Sequence, residues 1–230
     1  MRFLPIFTTV VVVLAPALAT NSCGAVKVVQ LSVDGRTDSP AGLDNPHPTL
    51  AWQMVQTRNC SEHVCPSDQQ TAFEVQAAAT VEDLRAGRLI WHLEKGGGSV
   101  QWVRYDGRDL GSRDTIAWRV RVWDALGQPS GWTRPSTWTM GLLDQADWGD
   151  ARWIDYPDRT ENQSLPLFAR QFDVPSRKEV ADAWLYLSGV GLHHATVNGE
   201  DVSDEVLAPG YANYQLSSEY RTYDRRYWRQ

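Results

Sequence analysis

The stretch that most constrains the fold of this chain covers residues 181–223. The run WLYL, which begins at Trp184, alternates between two faces as a half-buried β-strand does. The small residues SGVG interrupt the run, and residues 192–197 resume it. Asn198-Gly199 then predicts a two-residue hairpin, because both residues tolerate positive φ. Together these features predict part of a β-sandwich.

A return segment follows the hairpin and ends at a second turn, Pro209-Gly210. With this turn, the stretch resembles part of the N-terminal sandwich domain of bacterial-type α-L-rhamnosidases. The features that carry the resemblance are LYLSGVG, the VNG turn, DEVLAPGY and YRTYD, in this order. In that family the domain accompanies catalysis, so the resemblance assigns no catalytic residue here.

The first half of the chain contains about seven short strand patterns between residues 26 and 140, separated by regular turns. A helical turn is expected at residues 81–88. In the segment 114–124 one face is predicted to be core and the other to face solvent; the members are Ile116, Trp118, Val120 and Val122, and then Ala117, Arg119, Arg121 and Trp123. The pattern predicts an immunoglobulin-like sandwich.

The text AWRVRVWDALGQPSGWTRPSTWTMGLL is similar to the end of the fibronectin type III module that precedes the sandwich in α-L-rhamnosidases. The following DWGDARWI resembles the family's junction. We therefore expect an all-β chain with a fibronectin type III-like domain at residues 20–146. A jelly-roll-like β-sandwich domain is expected at residues 147–230.

Strand patterns in the second domain occur at residues 166–174, 179–187 and 192–197. A jelly roll needs about eight strands, and only about half that number is found before Gln230. The family continues with further strands and an all-helical barrel. The expectation is therefore a domain truncated before the catalytic barrel.

The N-terminus has the pattern of an export signal. Arg2 supplies the charge, residues 3–14 the apolar region and Ala17-Leu18-Ala19 the cleavage site. This predicts a signal peptide at residues 1–19 and a secreted product with no membrane segment.

Cys60 and Cys65 are predicted to form a disulfide in an oxidising compartment. The rival interpretation is a metal site that uses His63 as well, although structural zinc sites usually show four ligands. Asn59 and Asn162 fit the N-glycosylation pattern. No metal or cofactor is expected.

Candidate groups for chemistry are few. Glycoside hydrolysis needs two carboxylates, roughly 6.5–9.5 Å apart in inverting enzymes, and in the family this pair lies in the helical barrel. We therefore predict no catalytic residue here. His193 and His194 are adjacent in a strand and point to opposite faces, so they cannot hold one metal together. The acidic residues after the hairpin are interpreted as a solvated return strand; they are Glu200, Asp201, Asp204 and Glu205.

Aromatic residues are the remaining lead, since the apolar face of a sugar stacks on an aromatic ring. Trp184, Tyr211 and Tyr214 are candidates for a carbohydrate platform, with Asn213 as a hydrogen-bonding partner. The alternative is that these residues pack the sandwich or its junction.

The net charge of −6 disfavours nucleic acid as a partner. The resemblance implies the non-catalytic N-terminal portion of a secreted α-L-rhamnosidase, an inverting enzyme that removes terminal α-L-rhamnose from glycosides or polysaccharides. Whether the chain itself is an enzyme stays open. A stand-alone carbohydrate-binding or adhesion module and an inactive fragment are the alternatives.

Overall fold

The computed structural model describes residues 26–55, 69–96, 98–156, 166–173, 180 and 182–224. In these ranges the chain is built from strands and loops, with one short α-helix, α1 (Val81–Ala86), and one 3-10 helix (Gln145–Trp148). The prediction of an all-β chain is therefore confirmed, and α1 lies where a helical turn was expected.

Two antiparallel sheets form the first half of the chain. The three-stranded sheet has the order β1-β2-β5, with β1 (Lys27–Val33), β2 (Thr49–Val55) and β5 (Trp102–Arg104). The four-stranded sheet has the order β4-β3-β6-β7, with β3 (Gln70–Ala78), β4 (Trp91–Gly96), β6 (Thr115–Asp124) and β7 (Ser136–Thr139).

The core of this half is one continuous apolar cluster between the two sheets. Alternation along each strand sends every second side chain inward. The four residues of β6 predicted to be core are fully buried, which confirms the prediction; they are Ile116, Trp118, Val120 and Val122.

The opposite face of β6 was only partly predicted correctly. Ala117 was expected to face solvent but is fully buried, because α1 lies over this end of the sheet and Leu84 packs on Ala117 and Ala78. The helix is held there by its caps. Thr80 accepts a hydrogen bond from the backbone N–H of Asp83 at the start, and Gly87 ends the helix with φ of 74°.

The second half contains two two-stranded antiparallel sheets among its described residues. β8 (Trp184–Ser188) pairs with β11 (Tyr220–Asp224), and β9 (Thr196–Val197) pairs with β10 (Glu200–Asp201). Asn198 and Gly199, with φ of 55° and 83°, form the predicted hairpin turn between β9 and β10.

Other strand predictions in this half were too long or wrong, since β8 begins only at Trp184 and β9 only at Thr196. Residues 166–173 form no strand, and Leu167 and Phe172 are largely exposed there. Apolar and polar residues alternate in this segment as they do in a strand. It pairs with no strand among the described residues. The return segment after the hairpin leaves the ladder after Asp201.

Candidate functional site

The two halves of the chain meet at Tyr220, the first residue of β11. Its hydroxyl accepts a hydrogen bond from the backbone N–H of Leu142 at 2.8 Å and lies 3.3 Å from the Leu142 carbonyl, to which it can donate. Its ring contacts Trp148 edge-on, with centroids 5.3 Å apart. One side chain of the second half thus satisfies backbone groups of the first and packs on the connection between them.

Two glycines permit this close approach. A Cβ at Gly141 would overlap the Tyr220 hydroxyl, and a Cβ at Gly42 would lie 2.5 Å from Thr222 Oγ1. Gly42 also has φ of 72°, which other residues rarely adopt. A larger side chain at either position would force the side chain of Tyr220 or of Thr222 to move.

The connecting 3-10 helix is tied to the loop before β6. The Asp147 carboxylate accepts hydrogen bonds from the Ser112 hydroxyl and, at 3.0 Å, from the backbone N–H of Asp144. The Arg113 guanidinium donates to the Asp147 carbonyl. The bond from Ser112 is the main cause that holds the pKa of Asp147 below its ordinary value. The Arg113 guanidinium also lies 5.6 Å from the Tyr186 ring centre on β8.

A groove of about 510 Å³ runs beside this junction, between residues 36–42 and residues 203–205 and 220–224. Its acidic members are Asp38, Asp204, Glu205 and Asp224, of which only Asp224 is buried. Arg221, also in the wall, donates to the Pro209 carbonyl at 2.7 Å and lies 3.6 Å from Glu205. Three of the four carboxylates in the groove wall are therefore solvated.

The predicted carbohydrate residues are brought together only in part. Tyr211 and Tyr214 contact each other edge-on with centroids 5.9 Å apart, and Tyr211 is 91% exposed. The Asn213 side chain accepts from the backbone N–H of Gln215, so it orders the loop itself. Trp184 lies on β8 opposite Asp224, half-buried in the sheet. The carbohydrate role of these four residues stays a prediction.

The adjacent histidines were expected within a strand, but they precede β9, with His193 in an isolated bridge to Ala208, and they have different partners. His193 Nε2 lies 3.3 Å from the Tyr223 hydroxyl in the interior, and burial is the first cause that lowers its pKa. His194 is exposed and lies 3.0 Å from the Asp201 carboxylate. The four acidic residues after the hairpin are exposed, as a solvated segment should be.

Several predictions fall outside the described residues. They concern the signal peptide at residues 1–19, the disulfide between Cys60 and Cys65, and the glycosylation sites Asn59 and Asn162. Within the described ranges there is no group of three His, Cys, Asp or Glu side chains that could hold a metal ion. In the same ranges no helix has the length and apolar character needed to cross a membrane.

Sequence reasoning missed the residues of the junction. Tyr220 lies in the YRTYD motif and Trp148 in DWGDARWI; both motifs carry the family resemblance, but neither predicts a contact between the halves. Gly42 and Gly141 carried no signal, because the need for a glycine arises from side chains far away in the chain.

Comparisons with known proteins match both halves. Residues 28–144 match the family described as Rha78A-like, N-terminal immunoglobulin domain, and residues 178–226 match the alpha-L-rhamnosidase N-terminal domain. An alpha-L-rhamnosidase of Formosa agariphila is 28% identical over 89% of this chain, and one of Alteromonas sp. is 32% identical over 86%.

The likeness extends to three dimensions. The solved structure of an alpha-L-rhamnosidase from Dictyoglumus thermophilum superposes with a TM-score of 0.72 at 25% identity, over 86% of this chain and 23% of that one. The chain spans about 22% of the length of the two curated relatives. The match thus concerns the N-terminal, non-catalytic part of these proteins. The chain belongs to the family of Rha78A-like N-terminal immunoglobulin domains, followed here by an alpha-L-rhamnosidase N-terminal domain.

Proposed function

We propose that this chain is the N-terminal supporting part of a secreted α-L-rhamnosidase, which removes terminal α-L-rhamnose from glycosides or polysaccharides by an inverting, two-carboxylate reaction. The observation that carries the proposal is the match of both halves, in order, to the N-terminal region of alpha-L-rhamnosidases. The junction supports it, since Tyr220 and Trp148 hold the second half on a well-packed first sandwich.

The role of such a part is to hold a partner domain in place. The first half supplies the continuous apolar core that such a role needs. A rigid support restricts the motion of a neighbouring catalytic domain before substrate binds. Less conformational entropy is then lost when the catalytic groups are ordered.

A chimera tests the proposal directly. The matching region of the Dictyoglumus thermophilum enzyme is replaced by this chain, and hydrolysis of p-nitrophenyl α-L-rhamnoside is compared with that of the same enzyme lacking the region. We expect the chimera to fold and to cleave the substrate better than the deletion variant. Equal loss of activity in both would overturn the proposal.

The chain alone provides a second test. Purified, it is expected to release no p-nitrophenol, and turnover would show that catalytic groups lie within it. Secretion is tested separately by N-terminal sequencing of the exported product, which is expected to begin at Thr20.

One observation favours saccharide binding by the second half. Tyr211 presents nearly its whole ring to solvent beside Tyr214. In native gels that contain a rhamnose-rich polysaccharide, we expect the chain to be retarded and Tyr211→Ala to migrate faster. Identical migration of the two proteins would remove this loop as a sugar contact.

A further inference from the structure

The outward face of the three-stranded sheet carries one large exposed aromatic side chain. Trp102, on the edge strand β5, is 57% exposed. Ala51 on β2 lies directly opposite it, and Ser32 on β1 lies opposite Ala51. Because these neighbours have small side chains, they do not cover the indole ring, which is accessible to a ligand.

Polar side chains border this row on the same face. Side chains two residues apart share a face of a sheet, so Gln53 follows Ala51, and Gln30 lies opposite Gln53. Both glutamines are exposed. Uncharged amides beside an open indole are the groups that bind a sugar: the ring stacks on the aromatic face and the amides bond its hydroxyls.

The charge of the sheet differs from that of the whole chain. Its strands KVVQLSV, TLAWQMV and WVR contain Lys27 and Arg104 and no acidic residue, although the chain has a net charge of −6. Arg104 is exposed and shares the face of Trp102, two residues away. Among the described residues it forms no ion pair. Its planar guanidinium matches a carboxylate with two parallel hydrogen bonds.

We propose that this face binds an acidic saccharide, with a pyranose ring on Trp102 and the carboxylate of a uronic acid on Arg104. The charge complementarity selects a uronate-bearing ligand over a neutral one. The inference rests on the proposed function only in taking a saccharide as the ligand class. It adds a site on the first sandwich, whereas the Tyr211 loop belongs to the second half of the chain.

The test measures binding of polygalacturonate to the purified chain by affinity electrophoresis and of trigalacturonate by calorimetry. Trp102→Ala is expected to weaken binding at least tenfold and Arg104→Gln about fivefold. Matched controls are Trp153→Ala and Arg85→Gln, which remove an exposed indole and an exposed guanidinium elsewhere and should change binding less than twofold. Near-ultraviolet circular dichroism checks that each variant is folded.

Charge is tested with fully methyl-esterified polygalacturonate, which keeps the sugar rings and loses the carboxylates. We expect much weaker retardation by this polymer, and weakening of the acidic interaction by salt. Equal retardation by both polymers, no retardation of the wild-type chain, or equal loss in the control variants would each overturn the inference. The chimera experiment is unaffected by these outcomes, so the proposed function is tested independently.

Discussion

At the scale of single residues, the junction depends on atoms that meet across 78 positions of sequence. The Tyr220 hydroxyl accepts a hydrogen bond from the Leu142 backbone N–H, and the absence of a side chain at Gly141 gives it room. A buried or half-buried backbone N–H that loses its acceptor costs more than the bond gains when formed. Small changes at this point should therefore have measurable effects.

Tyr220→Phe removes the acceptor and keeps the ring on Trp148. We expect a loss of about 1–2 kcal/mol in the free energy of unfolding, together with faster hydrogen exchange at the Leu142 amide. Urea denaturation and amide exchange measure these effects. Tyr214→Phe is the control, since that hydroxyl makes one 3.3 Å bond to the Gly210 carbonyl. Equal losses in both variants would contradict the assigned role of Tyr220.

Gly141→Ala places a methyl group against the Tyr220 hydroxyl. We expect a destabilisation of about 1–3 kcal/mol, the usual effect of overpacking. Gly131→Ala, where a Cβ meets nothing within 4 Å, should be nearly neutral. In the Tyr220→Phe background the cost of Gly141→Ala should fall, because the overlapping oxygen is gone. A double-mutant cycle with no coupling would refute this explanation.

At the scale of elements, the outer face of the four-stranded sheet is a connected polar and aromatic network. The Glu74 carboxylate on β3 accepts from Arg121 on β6 at 2.6 Å and lies 2.8 Å from His92 on β4. Trp132, from the loop before β7, packs between the guanidinium groups of Arg119 and Arg121, 4.4 and 4.8 Å from its ring centre. The network joins three strands and covers the outer face of the sheet.

The network predicts a dependence of stability on pH. Burial raises the pKa of Glu74, but the hydrogen bonds and charges of Arg121 and His92 outweigh this and hold the pKa below its ordinary value of 4.5. The folded state therefore binds the proton less readily than the unfolded state. The contribution is complete above the unfolded pKa and is lost as pH falls through the folded pKa.

We expect wild-type stability, measured by urea denaturation from about pH 7 to about pH 3, to fall more steeply than that of Glu74→Gln. Glu82→Gln, which changes an exposed carboxylate on α1, should keep the wild-type profile. Parallel profiles for Glu74→Gln and the wild type would show that the carboxylate does not have this role.

Trp132→Ala tests the stacking part of the network. Loss of two cation–π contacts is expected to cost about 1–3 kcal/mol of stability in urea denaturation. Trp153→Ala, which removes a side chain that is 69% exposed, should cost less than about 0.5 kcal/mol. A neutral effect of Trp132→Ala would mean that the guanidinium groups are held by their other partners, Glu74, Gln76 and the Trp123 ring, whose centre lies 4.9 Å from Arg121.

At the scale of the whole molecule, the apolar core is unevenly shared. The first half holds a continuous cluster that includes Trp52, Trp118 and Trp138, whereas the buried apolar residues of the second half are Val202, Ala208 and Tyr223 among those described. Many apolar side chains of the second half are exposed, Leu167, Val206 and Leu216 among them. Burial of apolar surface is the main driving force of folding. The first half should therefore fold without the second, and the second should not fold without the first.

We expect residues 26–149, expressed alone, to unfold cooperatively in urea, and residues 150–224 alone to show no cooperative transition by circular dichroism. The intact chain supplies the reference for both. Cooperative unfolding of the second piece alone would show that the junction is not needed for its structure.

The sequence by itself was sufficient for the local features of the fold. Alternation in β6 identified its buried face, and Asn198-Gly199 identified the hairpin. Each of these follows from backbone geometry within a few residues. The family resemblance was likewise readable from motifs in a set order.

Only the tertiary structure decided what distant residues do to one another. Ala117 is buried because α1 lies on it, and residues 166–173 form no strand because a strand requires a partner. Trp102 and Arg104 became a candidate site only when the register placed them beside Ala51 and the glutamines of neighbouring strands. Periodicity gives the face of a residue, but the groups that meet it there are determined by long-range packing.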